Sequence, residues 1–202
     1  MRWNSNFVYA IGLFTADGCL SIDGRHLEFC SKDKEQVINF KNCLNLKNKI
    51  TKKTRAKEKI KKYYRVQFGN VKLYRFFEDI GLTPKKSLIL KKIKIPLRFF
   101  ADFLRGVFDG DGCFRIFVHP ESQYPQIRTS FASASPGFIR WLQQEIKKEL
   151  KINGFIEKAQ RNENLVYAKS DSLKLLNYIY YSPNIVYLSR KFQKAKPYFM
   201  RT

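Results

Sequence analysis

Apolar residues along this chain recur with helical and strand periods, and the order of the predicted elements occurs twice. In the first half, spacings of three and four predict helices near 4–17, 32–44 and 71–80, and alternation predicts strands near 19–22, 26–30, 49–55 and 63–68. In the second half, the same signals predict helices near 96–110, 136–150 and 172–181, and strands near 114–118, 126–132, 154–158 and 165–169. We therefore predict an α+β protein built from two αββαββα halves.

Residues that favour turns and caps mark the ends of several elements. Gly18 is expected to end the first helix in the left-handed cap conformation. Asp23-Gly24 is expected to join the first two strands as a hairpin. Pro96 is expected at the first position of the helix that opens the second half, and Ser135 is expected to cap the next helix of that half.

A ten-residue segment occurs twice, as AIGLFTADGC at 10–19 and as LRGVFDGDGC at 104–113. In each copy a glycine is followed four residues later by a small residue, and then by Asp-Gly-Cys. A repeat of this kind points to duplicated structural units. It divides the chain into an N-terminal half, 1–90, and a C-terminal half, 91–202, with residues 82–96 as the connecting linker.

Small residues lie one turn apart on one face of each repeated helix. They are Gly12 and Ala16 in the first helix, and Gly106 and Gly110 in the second. Small residues at this spacing let two helix backbones approach closely. We therefore expect a pseudo-two-fold arrangement in which these helices pack together and bring Asp17 and Asp111 side by side.

Two carboxylates at helix C-termini are electrostatically unfavourable unless a cation lies between them. Asp17 and Asp111 would each face the negative end of a helix dipole and would repel one another. Hard divalent cations resolve this, because Mg²⁺ binds one or two carboxylates and completes its shell with water and phosphate oxygens. The alternative is that each Asp-Gly is only a helix stop and turn.

The charge balance points to nucleic acid. The 202 residues include 39 Lys and Arg against 17 Asp and Glu, a net charge of +22, and 44% of the chain is apolar. Such a charge on a folded, aromatic-rich chain favours nucleic-acid binding over a merely soluble basic protein. Ten of the basic residues fall within 47–65, which we interpret as a phosphate-contacting β-ribbon rather than a solvated surface.

Cysteine and hydropathy patterns place the chain inside a cell and away from membranes. The four cysteines form no CxxC pair, so they indicate reduced thiols rather than a disulfide framework or a zinc site. No secretion signal precedes the first helix, and no apolar run has membrane-spanning length. Bacterial cytoplasm and an organelle both remain open.

These residues resemble the two motifs of a LAGLIDADG homing endonuclease in its single-chain, pseudo-symmetric form, and the resemblance covers essentially the whole chain. It implies two four-stranded antiparallel sheets that form a saddle over DNA, with the motif helices packed at the centre. It also implies an intron-encoded monomer that cuts both strands of a long, asymmetric target and leaves 3′ overhangs.

The family motif carries an acidic residue that falls on Asp17 and Asp111 in this sequence. The resemblance implies that these are the metal-binding catalytic acids, with Gly18 and Gly112 beside them in the metal site. It implies Mg²⁺ as the cofactor, with Mn²⁺ able to substitute. The first motif departs from the family pattern because Thr15 stands where the second motif has Asp109, and we interpret Asp109 as more structural than metal-binding.

Family members also place basic residues around the metals. Lys86 and Lys191 fall near the ends of their halves, where the resemblance implies catalytic lysines. A lysine there would stabilise charge developing on the phosphate or polarise the attacking water. The alternative for each is an ordinary contact to the DNA backbone. Lys32 lies at another position where relatives carry a basic group, but its counterpart is Ala134.

Base-contacting residues are expected on the sheets, which would face the major groove, where base pairs are distinguishable. Alternation along the predicted strands, together with the basic position after the second strand, selects Ser21, Asp23, Arg25, Glu28, Lys32, Lys52, Lys62, Gln67, Arg115, Gln126, Arg128 and Lys169. A solvated surface position is the alternative for any one of them.

Double-stranded DNA is the expected partner, and two other functions remain open. An RNA maturase that assists intron splicing would use the same fold on RNA and would not need the acid pair. A non-catalytic DNA-binding regulator would bind DNA without cutting it.

Overall fold

The computed structural model describes residues 1–54, 62–118, 120–121 and 123–199. The elements of the first half are α1 (Ser5–Asp17), β1 (Gly18–Leu20), β2 (His26–Ser31), α2 (Lys34–Cys43), β3 (Thr51–Lys53), β4 (Tyr63–Gly69) and α3 (Val71–Asp79). Those of the second half are α4 (Phe100–Asp111), β5 (Gly112–Val118), β6 (Pro125–Ser133), α5 (Pro136–Leu150), β7 (Phe155–Lys158), β8 (Glu163–Tyr167), α6 (Lys169–Ile179) and α7 (Ser189–Phe199).

Each half forms one four-stranded antiparallel sheet, with the same strand order in both. The first sheet has the order β1-β2-β4-β3 and the second the order β5-β6-β8-β7. The predicted succession αββαββα is therefore confirmed in both halves. Helix α7 was not predicted, although its buried residues Phe192, Ala195 and Phe199 follow a helical spacing.

Alternation of side chains explains why one face of the first sheet is buried. Leu27 and Phe29 of β2 lie opposite Phe68 and Val66 of β4, and all four are buried. The Phe29 ring stacks on Phe40 of α2, with ring centroids 4.3 Å apart. The alternate positions along the four strands of this sheet point to the other side. We call that side the open face of the first sheet (Cys19, His26, Glu28, Cys30, Thr51, Lys53, Arg65 and Gln67).

The second sheet follows the same rule. Phe114, Phe131, Leu165 and Tyr167 form its buried face. The intervening positions form the open face of the second sheet (Cys113, Arg115, Phe117, Gln126, Arg128, Ser130, Phe155 and Glu157).

Helix α1 is almost entirely buried and ends without the expected left-handed cap. The side chain of Asn4 accepts a hydrogen bond from the Phe7 N–H at 2.9 Å and caps the N-terminus. At the other end, Gly18 has φ −87° and ψ 156°, which is extended backbone, so the cap expectation is wrong. Glycine is required there for space, because a Cβ would lie 2.3 Å from the Phe14 ring.

Of two other cap expectations, the one for Pro96 is wrong and the one for Ser135 is confirmed in position only. Pro96 precedes a short 3₁₀ turn, Leu97–Phe99, and α4 begins only at Phe100. Ser135 is the N-cap residue of α5, but its side chain makes no capping hydrogen bond. Its hydroxyl accepts the N–H of Leu90 at 3.1 Å instead, so a tertiary contact has replaced the local one.

By packing, the chain divides into two compact units whose boundary differs from the repeat boundary at 90–91. The first unit comprises Met1–Lys86, Ile93–Gly110 and Ile185–Leu188. The second comprises Ser87–Lys92, Asp111–Asn184 and the chain from Ser189 on. Most of α4 belongs to the first unit because it packs against α1. Among the described residues, no helix is long and apolar enough to cross a membrane.

Candidate nuclease and nucleic-acid site

Within the first unit, α1 and α4 are in backbone contact at their glycines. A Cβ added to Gly12 would lie 2.2 Å from the carbonyl oxygen of Phe103 and 2.9 Å from the Cα of Gly106. A Cβ added to Gly106 would lie 2.2 Å from the carbonyl oxygen of Tyr9. No side chain fits between these backbones, so glycine at both positions is a condition for the contact.

The contact continues to the C-terminal end of α1. A Cβ added to Gly110 would lie 2.3 Å from the Cβ of Ala16 and 3.7 Å from Oδ2 of Asp17. The Asp17 carboxylate, which is half-buried, therefore lies against the last turn of α4. The four small residues selected from the sequence all lie along this helix contact.

Asp17 and Asp111 occupy the same position in their respective elements. Each is the last residue of its helix, and each is followed directly by a glycine that begins a strand. Asp17 is half-buried in the first unit, and Asp111 is exposed in the second. Both carboxyl groups therefore lie at the negative end of a helix dipole.

A buried lysine lies beside each acid within the same unit. Lys86 is 7% exposed, and its Nζ donates to the carbonyl oxygen of Gly18 at 2.7 Å. Lys191, in α7, is 9% exposed, and its Nζ donates to the carbonyl oxygen of Gly112 at 2.6 Å. Each ammonium is thus fixed one residue beyond an acid, in the same arrangement in both units.

This arrangement bears on which oxygens could hold a metal. Carboxylate oxygens of Asp17 and Asp111 are the hard donors that Mg²⁺ binds. The carbonyl oxygens of Gly18 and Gly112 already accept an ammonium proton, which makes them weaker candidate ligands than the carboxylates. In the described part of the chain, no three His, Cys, Asp or Glu side chains are grouped to hold a metal ion. The residues present fit a cation that takes its remaining ligands from water and phosphate.

Asp109 and Thr15, the position at which the two motifs differ, both serve packing. Thr15 is buried, and its hydroxyl donates to the Ile11 carbonyl of its own helix at 2.8 Å. Asp109 is fully buried and accepts from the Tyr9 hydroxyl at 2.7 Å and from the Leu188 N–H at 2.8 Å. Burial, and then the Asp109 charge, raise the pKa of Tyr9 well above its usual value.

A buried ion pair in α4 was not expected from the sequence. Arg105 is fully buried and donates to Oδ1 of Asp102 at 2.7 Å and to the Val186 carbonyl at 2.8 Å. Its guanidinium lies over the Tyr9 ring, 5.2 Å from the centroid. Hydrogen bonds to Arg105 and Asp109 thus hold the segment Ile185–Leu188 against α4 within the first unit.

The loop between β1 and β2 carries three of the predicted DNA contacts, Ser21, Asp23 and Arg25. Asp23 is committed to the loop itself, since it accepts the N–H groups of Arg25 and His26 at 3.0 Å each and also contacts the His26 ring. These hydrogen bonds, those from His26 first, lower the pKa of Asp23 to about 2. Ser21 is half-buried, and Arg25 is exposed.

Glu28 and Gln67 lie opposite each other on the open face of the first sheet, as predicted. Glu28 pairs with Lys53 and, at 3.4 Å, with Arg65. Lys52 was expected on this face, and that expectation is wrong. In the strand register, Lys53 pairs with Tyr63 and Lys52 pairs with Tyr64. Lys53 is therefore on the open face, and Lys52 is on the opposite side of the edge strand. The predicted alternation was one residue out of step.

Two further basic residues lie just outside the strands of the first sheet. Lys32 is exposed directly after β2, and its Nζ lies over the Tyr63 ring at 5.3 Å. Lys62 is exposed directly before β4. The central part of the basic run, residues 55–61, lies outside the described residues, so the expected phosphate-contacting loop is described only at its ends.

In the second sheet, Arg115, Gln126 and Arg128 lie on the open face, as expected from the sequence. Lys169 was expected on a strand, but β8 ends at Tyr167 and Lys169 begins α6. The strand is shorter than predicted because Ala168 is the N-cap residue of α6, so Lys169 does not belong to the open face.

Comparisons with known proteins point to one fold. A model of the LAGLIDADG-like domain matches residues 7–81, which extend from α1 to just beyond α3. No curated protein matches the sequence.

Solved structures match nearly the whole chain at low sequence identity. The LAGLIDADG homing endonuclease I-LtrWI bound to target DNA is 14% identical, with a TM-score of 0.63 over 97% of this chain and 90% of that one. The meganuclease I-SmaMI bound to uncleavable DNA is 12% identical, with a TM-score of 0.65 over 98% and 88%. Full-length DUF199/WhiA from Thermatoga maritima is 17% identical, with a TM-score of 0.61 over 98% of this chain, which spans 61% of the length of that protein.

At these identities the likeness establishes the architecture alone. The two antiparallel four-stranded sheets, their strand order and the helices between them match the structures of both a nuclease and a WhiA protein. This chain therefore has the LAGLIDADG fold.

Proposed function

We propose that this protein is a site-specific DNA endonuclease of the single-chain, two-motif LAGLIDADG type. It would cut both strands of a long, asymmetric target and leave 3′ overhangs. The observation that carries the proposal is the arrangement of acid, glycine carbonyl and buried lysine, which occurs once in each unit. If each Asp-Gly were only a helix stop, neither buried lysine would be required. The glycine carbonyl at the start of each strand could accept a hydrogen bond from another donor.

Asp17 and Asp111 would hold divalent cations, Mg²⁺ in the first place and Mn²⁺ as a substitute. When bound, the cation activates a water molecule and stabilises the leaving oxygen of phosphodiester hydrolysis. Lys86 and Lys191 would contribute positive charge near the scissile phosphate, held in place by their bonds to Gly18 and Gly112. Burial of both lysines fixes their positions, so little reorganisation is required when the phosphate gains charge.

Positively charged surface and the open faces of the two sheets would bind the DNA. The net charge of +22 supplies the sequence-independent part of the affinity. I-LtrWI and I-GzeII, which share the fold, have been crystallised with their DNA targets. We propose double-stranded DNA as the partner, a monomer as the active form and an intracellular site of action without membrane contact.

A cleavage screen against a randomised duplex library tests this proposal. With Mg²⁺ present, we expect one family of sequences to be cut on both strands, and sequencing of the ends should show 3′ overhangs. Chelation of the cation should abolish cutting. Binding of a defined sequence without cutting, in Mg²⁺ and in Mn²⁺, would contradict the nuclease proposal.

A second candidate is a DNA-binding regulator that does not cut. The observation that favours it is that the fold also occurs in a protein not described as an endonuclease, since the N-terminal LAGLIDADG domain of WhiA gives a TM-score of 0.57 over 95% of this chain. Selection of bound duplexes from the same library, without cleavage, would support this candidate. An RNA maturase would instead bind a structured intron RNA in preference to every duplex in the library.

A further inference from the structure

One arginine on the open face of the second sheet is held in a defined position. Arg128 lies on β6, an inner strand, and its guanidinium carbon is 5.1 Å from the Phe117 ring centroid and 6.0 Å from that of Phe155. Its Nη1 is 3.3 Å from Oε1 of Glu157. Two aromatic rings and one carboxylate from β5 and β7 therefore support this side chain from both sides of its strand.

A second arginine lies directly opposite it. Arg115 of β5 pairs with Arg128 of β6 in the strand register, so both side chains project from the same face. Like charges directly opposite each other on neighbouring strands destabilise a sheet. Arg115 is exposed and has no ion-pair or hydrogen-bond partner within the described part of the chain. The sheet thus retains an unfavourable pair that an electron-rich ligand would relieve.

We propose that Arg128 recognises one guanine of the target through the major groove, with its planar guanidinium donating to O6 and N7. This inference rests on the proposed DNA binding, but not on cleavage. A bidentate pair with guanine is the commonest specific arginine contact to DNA. The rings limit the freedom of the guanidinium before binding, which reduces the entropy lost when the contact forms.

The position of Glu157 distinguishes a base contact from a phosphate contact. Its carboxylate would repel a phosphate brought against the same guanidinium, whereas the guanine edge is uncharged and presents only acceptors. Arg128 and Glu157 are each 46% exposed as side chains, so the remaining donors of the guanidinium are accessible. Arg115 has no such neighbour and is suited to the phosphate backbone.

Binding selection from a randomised duplex library, carried out with a chelator so that no strand is cut, tests the inference. The wild-type protein should select guanine at one position. Arg128→Lys should reduce the preference for that guanine by about 5- to 150-fold, because lysine keeps the charge but loses the planar pair of donors. Its affinity for sequences without this guanine should remain within about twofold of the wild-type value.

Two further variants separate recognition from general effects. Arg115→Gln, the matched control on the neighbouring strand, should weaken all sequences evenly and lower the salt slope by about one, with the guanine preference unchanged. Phe155→Leu keeps the arginine but removes one supporting ring. It should lower the guanine preference in the same direction as Arg128→Lys, and by less.

The failure of this inference differs from a failure of the proposed function. If Arg128→Lys weakens every sequence equally and keeps the preference, Arg128 contacts phosphate and the inference is wrong. If the wild-type protein shows no base preference at all, both sequence-specific DNA recognition and the inference are wrong. Selective binding that depends on Arg128 without any cleavage would support the inference and contradict only the nuclease proposal.

Discussion

Replacing Gly12 by alanine would place a methyl group inside the contact between α1 and α4. The new Cβ would lie 2.2 Å from the Phe103 carbonyl oxygen and 2.9 Å from the Cα of Gly106 and the backbone nitrogen of Val107. All three atoms belong to the α4 backbone and cannot rotate away. The two helices would have to separate by about 1 Å to restore ordinary contact distances.

The magnitude follows from two opposing effects. Overpacking of a close contact costs about 1–3 kcal/mol, and the rigid backbone places this site at the upper end or above. The higher helix propensity of alanine than of glycine offsets up to about 1 kcal/mol of this destabilisation. We expect Gly12→Ala to lower the free energy of unfolding by about 2 kcal/mol, equivalent to about 4–8 °C in Tm for a chain of this size.

Thermal and denaturant unfolding measure this effect, and Gly137→Ala is the matched control. Gly137 is exposed on α5, and the nearest atoms to its added Cβ would be Lys91 Cγ at 3.2 Å and the Leu90 carbonyl oxygen at 3.3 Å. This control should stay within about 1 kcal/mol of the wild-type protein. If Gly12→Ala were as stable as Gly137→Ala, the backbone contact between α1 and α4 would be contradicted.

Three further outcomes are expected from buried or half-buried groups. Lys86→Met and Lys191→Met should each lower the cleavage rate about 100-fold or more while DNA binding persists. Full activity in either variant would show that the lysine has a structural role only. Asp109→Ala should cost about 3–6 kcal/mol of unfolding free energy in denaturant titrations, since two charge-assisted hydrogen bonds are lost, and a loss below 1 kcal/mol would contradict the buried network. Burial raises the pKa of the Cys43 thiol to about 12, so its reaction with a thiol reagent should stay slow up to about pH 11, whereas exposed Cys19 should react first. In the unfolded chain this thiol ionises near pH 8.5. Cys43 should therefore make the protein less stable as the pH rises from about 9 towards 12.

The order of elements could be predicted from the sequence because it depends on local periodicity. Alternation in β2 and β6 and the helical spacing in α2 and α5 determine which face each element buries, and the repeat supplied the same order twice. The glycine pairs of the motif helices were also visible in the sequence. Close contact between two helices at such positions requires only that no side chain be present, and the glycines in the sequence indicate this directly.

Features that depend on tertiary register could not be predicted in the same way. An error of one residue in β3 exchanged Lys52 for Lys53 on the open face, because a strand of three residues carries too little pattern to fix its phase. Gly18 was assigned a cap conformation from its position alone, whereas the structure uses it to make room for the Phe14 ring. In both cases the deciding contact comes from a neighbour in space.

The buried charges were hidden for a related reason. Asp102 and Arg105 are three residues apart on α4, a spacing that usually marks an exposed helix face, yet both are buried. Their burial depends on the segment Ile185–Leu188, about 80 residues later in the chain. The support of Arg128 by Phe117 and Phe155 likewise requires the register of four strands, because β7 pairs with β8 and not with β6, so no local pattern indicates it.

The central claim is that Asp17 and Asp111 act together in cation-dependent cleavage. The most direct measurement compares the wild-type protein with Asp17→Asn and Asp111→Asn on the duplex selected by the cleavage screen, with binding and cutting of each strand recorded separately. We predict that both variants bind the duplex about as tightly as the wild-type protein and cut neither strand at a comparable rate in Mg²⁺. Cleavage at the wild-type rate by both variants would contradict the proposed mechanism.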